Sequence, residues 1–342
     1  MFQATLVGCG RIGELHAKIL QKKGIKITSI FDINKEKLIE FKLKLNSNSI
    51  ETFTDKNSFF SYLKLNKPNL AIVSTTTLGR ALIIEEFLKI EIPYILSEKP
   101  LCSSMREIND ISTIQKKSKS KLAINHQMRY LPQYQRIKEL SNDIKFGGLI
   151  SMHVNGGNFG LAMNGSHYVE AFRYLTNSPS KNVKADLESE NEFNPRGNHF
   201  KEASGFVKIT SINNQLMTIN CSNRNHYGMH VSYICKYGII NVDELSGRLW
   251  GSFRKEEFRD LPSYRYGMPA DFIEEKISSL ELEESTLKLL EDLLLDKNYP
   301  NIDDGINTVK TIIGCYKSSR LNGSIFELKD LNPFDEEIFK WA

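Results

Sequence analysis

The chain begins with a glycine pattern whose spacing suits the phosphates of a dinucleotide. A short apolar run ending at Val7 leads directly into Gly8-Cys9-Gly10-Arg11-Ile12-Gly13, and a helical stretch follows. Between a strand and a helix, Gly8 permits the tight turn and Gly10 lets the backbone approach a pyrophosphate, while Gly13 allows close helix–strand packing. The helix then turns its free N–H groups toward the phosphates. The spacing therefore predicts a dinucleotide site that includes Arg11 and Ile12.

An acidic residue, Asp32, follows the second predicted strand and bears on the choice between two dinucleotide cofactors. A second strand, Lys26 to Phe31, ends in Asp32. A carboxylate there can accept hydrogen bonds from both ribose hydroxyls of an adenosine, and it repels a 2′-phosphate. We therefore expect NAD, with NADP less favoured, although Asn34 and Lys35 nearby leave the preference open.

A lysine between a glutamate and a proline follows a later predicted strand. The strand Tyr94 to Ser97 leads into Glu98-Lys99-Pro100, where the proline restricts the lysine to extended backbone. A lysine beside a cationic nicotinamide has a lowered pKa, which suits proton exchange with an alcohol. The alternative to this catalytic role is that Lys99 is a surface lysine in a turn.

The first part of the chain positions these residues together. Short strands alternate with helices through residue 125, which predicts a doubly wound parallel sheet covered on both faces. Ligands of such sheets bind beyond the carboxyl ends of the strands. The glycine pattern, Asp32, Glu98 and Lys99 are therefore expected at one edge, with Thr75 and Thr76 as further cofactor contacts.

The second part predicts a different sheet. Alternating runs between residues 205 and 252, separated by Gly, Asn and Ser, indicate a large, mostly antiparallel open sheet. We expect a cofactor domain over residues 1–125 and a substrate-binding and oligomerisation domain over 126–342, with a C-terminal helix packing back on the first. Further predicted elements are a mobile loop at 188–201 and helices at Pro132–Leu140, Gly165–Leu175, Asp271–Leu295 and Gly305–Ser318.

Composition argues against several other classes of protein. The 342 residues include 45 basic and 41 acidic ones, and the basic residues are spread over helices, so nucleic-acid binding is not expected. The five cysteines contain no C-x-x-C pair, which favours a reducing compartment and argues against a structural metal site. With no signal segment and no apolar run long enough for a membrane, we expect a cytoplasmic protein.

Several stretches in this order resemble the glucose–fructose oxidoreductase/inositol dehydrogenase/rhizopine-catabolism (Gfo/Idh/MocA) family. The resemblance implies a Rossmann domain followed by an α/β domain on a large, mostly antiparallel sheet. It also implies hydride transfer between NAD(P) and a carbon of a sugar or cyclitol. The residues that carry it are the glycine pattern, Asp32, Glu98-Lys99-Pro100, Gln127 to Tyr134, and Gly165-Ser166-His167-Tyr168-Val169-Glu170 before Arg173-Tyr174-Leu175.

The resemblance also implies roles for individual residues. It places Lys99 and His167 at the reacting carbon, Gln127 and Glu98 with the cofactor, and Asn164 and Tyr168 with the substrate. Arg129 either meets an anionic group of the substrate or forms an ion pair at the domain junction. The family's aspartate, four residues before the histidine, is replaced by Met163, which cannot transfer a proton.

Two functions follow from these features. The first is an NAD-dependent dehydrogenase acting on a small sugar-type substrate, which includes sugar derivatives, nucleotide-linked sugars and cyclitols. The second is a non-catalytic NAD-binding sensor or corepressor, which Met163 favours and the intact Lys99 and His167 oppose. A methyltransferase is a distant third. An open sheet with one uncovered face also leads us to expect a homo-oligomer, a dimer or tetramer, formed through the second domain.

Overall fold

The computed structural model describes all residues except 1, 48, 158–159, 189–196, 198–199, 223–224, 263, 265–266, 279–281 and 342. Most of the predicted loop at 188–201 therefore lies outside the described residues. Up to residue 126 the elements are β1 (Gln3–Val7), α1 (Arg11–Lys22), β2 (Lys26–Phe31), α2 (Lys35–Leu45), β3 (Glu51–Phe53), α3 (Lys56–Leu65), β4 (Leu70–Val73), α4 (Arg80–Lys89), β5 (Tyr94–Ser97), α5 (Met105–Gln115) and β6 (Lys121–Ile124).

The elements beyond residue 126 include most of the second sheet. They are α6 (Pro132–Asn142), β7 (Leu149–Gly157), α7 (Ser166–Thr176), β8 (Ser180–Leu187), β9 (Gly205–Ser211), β10 (Leu216–Ser222), β11 (His230–Cys235), β12 (Gly238–Asp243), β13 (Arg248–Arg254), β14 (Ala270–Lys276), α8 (Leu282–Leu294), α9 (Ile302–Arg320) and β15 (Phe326–Glu327).

The chain divides into two compact units. Unit 1 contains Met1–Gln127, Leu282–Val309 and Asn332–Ala342, and unit 2 contains Met128–Glu281 and Lys310–Leu331. The division differs from a single boundary after residue 125. Helix α8 packs on α1, where Lys22 and Lys23 form ion pairs with acidic residues of α8, so this segment returns to unit 1.

Unit 1 is built on a parallel sheet of six strands in the order β3-β2-β1-β4-β5-β6, which confirms the predicted fold class. All residues of β4 are buried, as expected for a strand covered on both faces. Three helices of unit 1 have side-chain N-caps. Asn34, Asp55 and Ser104 each accept a hydrogen bond from a backbone N–H group at a helix N-terminus. Because the strands are parallel, their carboxyl ends lie along one edge.

Unit 2 is built on a sheet of nine strands in the order β14-β13-β12-β11-β7-β10-β9-β8-β15. Neighbouring strands are antiparallel except β7 and β10, which agrees with the predicted mostly antiparallel sheet. Helix α7 packs on β7. Buried and exposed residues alternate along β9, so one face of this sheet covers a core.

One predicted helix is wrong in its first part. Residues 271–295 were expected to form a single helix, but strand β14 occupies Ala270–Lys276 and helix α8 begins at Leu282. Strand β14 pairs antiparallel with β13, with Phe272 opposite Ser252 and Glu274 opposite Trp250. Backbone pairing with a neighbouring strand outweighs the helical preference of the Glu and Lys residues here.

Within the described ranges, no helix combines the length and the apolar character that crossing a bilayer requires. The five cysteines are all free and buried.

Candidate cofactor and catalytic site

The glycine loop, residues Gly8 to Gly13, follows β1 and is shaped by close packing at two of its glycines. Gly8 has a φ of +97°, and a Cβ atom there would lie 2.7 Å from the carbonyl carbon of Ser74. A Cβ atom on Gly13 would lie 2.1 Å from the carbonyl oxygen of Gly8. Side chains are therefore excluded at both positions by the protein's own backbone.

Gly10 is glycine for a different reason. A Cβ atom on Gly10 would meet nothing within 4 Å, and its φ of −87° suits any residue. Gly10 is also the N-cap of α1, where it offers no side chain to satisfy the first N–H groups of the helix. Open space beside an uncapped helix N-terminus fits a pyrophosphate, so the residues present fit a dinucleotide.

Asp32 follows β2 at the same edge of the sheet, and backbone hydrogen bonds fix its carboxylate. One oxygen accepts the N–H of Cys9 at 2.7 Å and the other accepts the N–H of Asn34 at 2.8 Å. Each oxygen keeps a second lone pair, which suits bonds from two ribose hydroxyls. Burial, with the Asp32 charge, raises the pKa of the Cys9 thiol to about 12, so this thiol stays neutral.

The loop after β4 joins the glycine loop directly. The Ser74 hydroxyl lies 2.9 Å from the carbonyl oxygens of both Val7 and Gly8. The next residue, Thr75, has a buried hydroxyl oxygen with no hydrogen-bond partner, while Thr76 is exposed. A buried hydroxyl without a partner is rare and costly, and a bound ligand would satisfy it.

Glu98 follows β5, and it is held by groups from two other elements. Nε2 of His16 on α1 lies 2.8 Å from Oε1 of Glu98, and Nδ2 of Asn125 donates to the same oxygen at 2.7 Å. Burial raises the pKa of the Glu98 carboxyl, but the hydrogen bond and attraction of His16, with Asn125 and Arg80, outweigh it and hold that pKa at about 2. Glu98 is therefore ionised at neutral pH.

Lys99 is half-buried, and the peptide bond to Pro100 is cis. Gln127 lies in the short helical turn after β6. Its side-chain oxygen accepts the hydroxyl of Thr286 at 2.6 Å and the amide of Asn125 at 3.3 Å. The carboxyl ends of β5 and β6 are thus connected by side-chain hydrogen bonds to helix α8.

The contact between His16 and Glu98 was not predicted from the sequence. The residue is 1 % exposed and lies three positions after Gly13 on α1. Positions three apart share a helix face, so a histidine there faces the sheet as Gly13 does. That spacing is the signal that identifies it.

In unit 2 the predicted substrate residue Arg129 is buried in an ion pair. Its side chain is 3 % exposed, and its Nε donates to the fully buried Glu170 at 3.1 Å. Nη2 of Arg173 also donates to Glu170, at 3.4 Å, and the Arg129 guanidinium lies over the ring of Tyr174. These contacts favour the ion-pair alternative for Arg129 over contact with an anionic substrate.

Tyr168 is also held within unit 2. Its hydroxyl donates to Oε2 of Glu244 at 2.6 Å, and Oε1 of the same carboxylate accepts from Gln133 and Tyr134. The side chain of Tyr168 is only 4 % exposed. This position favours a structural role for Tyr168 over the predicted substrate contact.

Three further positions singled out from the sequence lie at the start of α7. A π-helical turn, Gly160–Gly165, carries the half-buried Met163 and the exposed Asn164, and the half-buried His167 follows in α7. One buried carboxylate holds this turn: Oε2 of Glu202 accepts the N–H groups of Ala162 at 3.0 Å and Met163 at 3.3 Å. No local pattern in the sequence identifies Glu202.

Comparison with known proteins identifies the first part of the chain. Residues 2–126 match the sequence model of the Gfo/Idh/MocA proteins, described as an oxidoreductase family with an NAD-binding Rossmann fold. A putative oxidoreductase of Bacillus subtilis (strain 168), YteT, is 23 % identical over 130 residues, which are 38 % of this chain and 30 % of that protein.

Solved structures extend the likeness to nearly the whole chain. Scyllo-inositol dehydrogenase from Lactobacillus casei, solved with NAD(H) and scyllo-inositol, has a TM-score of 0.72 and 14 % identity over 96 % of this chain and 100 % of that one. The transcriptional regulator Gal80p from Kluyveromyces lactis has a TM-score of 0.74 and 12 % identity over 96 % of this chain and 94 % of that one. At these identities the likeness establishes the fold alone.

The two kinds of glycine in the loop give a first prediction. Gly10→Val is expected to keep the native melting temperature, because its Cβ would meet nothing within 4 Å, but to weaken NAD binding by roughly 100-fold or more. Gly13→Ala is the matched control. It is expected to lower the unfolding free energy by about 1–3 kcal/mol, since its Cβ would clash with backbone.

Thermal unfolding and calorimetric titration with NAD measure both effects. Native NAD affinity in a folded Gly10→Val protein would mean that the pyrophosphate lies away from this loop.

Proposed function

We propose that this chain, whose residues 2–126 match the Gfo/Idh/MocA oxidoreductase family, is an NAD-dependent dehydrogenase of a sugar, a sugar derivative or a cyclitol. The observation that carries the proposal is the position of Lys99. It follows β5 directly, next to the ionised Glu98, at the sheet edge that also bears the glycine loop and Asp32. A titratable amine beside a dinucleotide site is what carbinol oxidation requires.

The proposed binding of the cofactor uses the residues of unit 1. The N–H groups at the start of α1 bind the pyrophosphate beside Gly10, and the Asp32 carboxylate accepts the ribose hydroxyls. Its negative charge disfavours a 2′-phosphate, so NAD is preferred over NADP. The hydroxyl of Thr75 supplies a further polar contact. When bound, the nicotinamide supplies the hydride chemistry.

Proton movement is assigned to Lys99. Its amine accepts the proton of the substrate hydroxyl during oxidation and returns a proton to the carbonyl oxygen in the reverse direction. Glu98 is already held by His16 and Asn125, so it orients the loop rather than exchanging protons. We also assign an assisting role to His167, and we propose that the exposed amide of Asn164 binds a substrate hydroxyl.

The second candidate is an NAD-binding sensor or corepressor. Met163 favours it, because a thioether cannot replace the aspartate of catalytic relatives, and the likeness to the regulator Gal80p is compatible with it. The presence of both Lys99 and His167 favours the enzyme. Turnover of a substrate with NAD distinguishes the dehydrogenase from the sensor.

We also propose that the chain forms a homo-oligomer through the nine-stranded sheet of unit 2. A row of half-buried side chains crosses the middle strands of that sheet on the face opposite the buried core. Its members are Thr218, His153, Ser232, Asn241 and Trp250, aligned on β10, β7, β11, β12 and β13. Uncharged side chains of this kind suit an interface between copies.

We further propose a cytoplasmic location for the chain. The five cysteines are free and buried, which is compatible with that compartment.

Light scattering tests the assembly, with Ser232→Arg as the variant. We expect a dimer or tetramer for the native chain and dissociation in the variant, because a charge at the centre of an interface lacks a partner. A native chain that is monomeric at micromolar concentration would exclude this interface.

The dehydrogenase is tested at Lys99. Lys99→Met is expected to bind NAD normally and to lower kcat by about 10²–10⁴-fold, the usual contribution of general acid–base catalysis, with a smaller loss in His167→Ala. Lys89→Met is the matched control, because Lys89 lies on the surface of α4 with its side chain 49 % exposed. The assay follows NADH formation with a panel of cyclitols, free sugars and nucleotide sugars.

Native turnover in Lys99→Met would remove Lys99 from the mechanism. NAD binding without turnover on any member of the panel would favour the sensor.

A further inference from the structure

Arg80 is a buried cation whose guanidinium donates hydrogen bonds to three backbone carbonyl groups. It is the first residue of α4 and is 2 % exposed. One of its terminal nitrogens donates to the carbonyl oxygen of Glu98 at 3.0 Å and also to that of Pro100. The other terminal nitrogen donates to the carbonyl oxygen of Thr75.

These three carbonyl groups belong to the two loops that follow β4 and β5. Glu98 and Pro100 are the residues on either side of Lys99, so one guanidinium holds the backbone before and after the lysine. Thr75 belongs to the loop joined to the glycine loop through Ser74. The guanidinium therefore ties the lysine's backbone to the loop proposed to contact the cofactor.

The backbone of Arg80, from which the side chain extends, is held in place as well. Gly79 has a φ of +81° and turns the chain into α4, and the backbone N–H of Arg80 donates to the carbonyl oxygen of Thr77 at 3.2 Å. A guanidinium is planar, permanently charged and offers donors in a fixed fork. Its positive charge is balanced by the ionised carboxylate of Glu98 close by.

We propose that Arg80 is a positioning residue for the reaction: it fixes Lys99 in the place from which its amine reaches the substrate hydroxyl. The proposal rests on the function assigned to Lys99 above. Proton transfer requires the two heavy atoms to lie within about 2.6–3.2 Å, and a displacement of about 1 Å can lower the rate by about 10²-fold. A clamp on the backbone of both neighbours of Lys99 limits such a displacement.

Arg80→Lys is the primary variant, because it keeps the positive charge and loses the planar fork. We expect kcat to fall by roughly 10–100-fold while the dissociation constant for NAD changes less than about threefold. The pH profile of kcat is expected to shift as well, since the amine of Lys99 would occupy a changed environment. Arg106→Lys on α5 is the matched control, because that side chain is 48 % exposed.

A second measurement needs neither cofactor nor substrate. Methyl acetimidate modifies amines, and peptide mass spectrometry reports the rate at each lysine. We expect the rate at Lys99 to rise several-fold in Arg80→Lys and to stay unchanged at Lys89. A general loss of stability would instead raise the rates at other protected lysines too. This measurement remains informative if no substrate is turned over, so it separates failure of the clamp from failure of the proposed function.

Unchanged reactivity of Lys99 together with an unchanged kcat in Arg80→Lys would overturn the proposal. Arg80→Gln, whose amide keeps a donor on a neutral side chain, is the second variant if Arg80→Lys does not fold. If neither variant folds, Arg80 serves stability, and the positioning role is rejected.

Discussion

The buried carboxylate of Glu98 is the constraint on which the candidate site depends. It lies directly after β5, and His16 of α1 and Asn125 after β6 both bind the same oxygen. Burial alone would favour the neutral acid, yet these contacts keep the pKa of Glu98 at about 2. The ionised group therefore joins the helix of the glycine loop, the lysine loop and the last strand of the parallel sheet. Loss of any one partner would leave a buried charge without full compensation.

The glycine loop adds a second constraint of a different kind. Gly8 and Gly13 are required by contacts within the protein, whereas Gly10 faces open space. The loop thus separates residues that maintain the fold from one that leaves room for a ligand. The same distinction holds among the acidic residues at this edge: Glu98 is enclosed by side-chain donors, while Asp32 receives only backbone N–H groups in the contacts described.

Much of the fold was predictable because its signals are local. Alternating strands and helices, the glycine spacing and the cap at Asp55 are each read within a few residues, and the parallel sheet follows from them. Strand β14 was not predictable in this way, since its Glu and Lys residues favour a helix and its partner β13 lies some twenty residues earlier. Glu98 is likewise distant in sequence from His16 and Arg80, and Glu170 is distant from Arg129, so these contacts appear only in the folded chain.

Affinity for the two nicotinamide cofactors tests the central claim, which is that the glycine loop and Asp32 form an NAD site. Calorimetric titration of the native chain is expected to give NAD binding at least about tenfold tighter than NADP binding, a difference of about 1.4 kcal/mol. Asp32→Asn keeps the size of the side chain and removes its charge. In this variant the difference in affinity between NAD and NADP is expected to narrow. Equal affinities in the native chain, or an unchanged preference in the variant, would contradict the assignment.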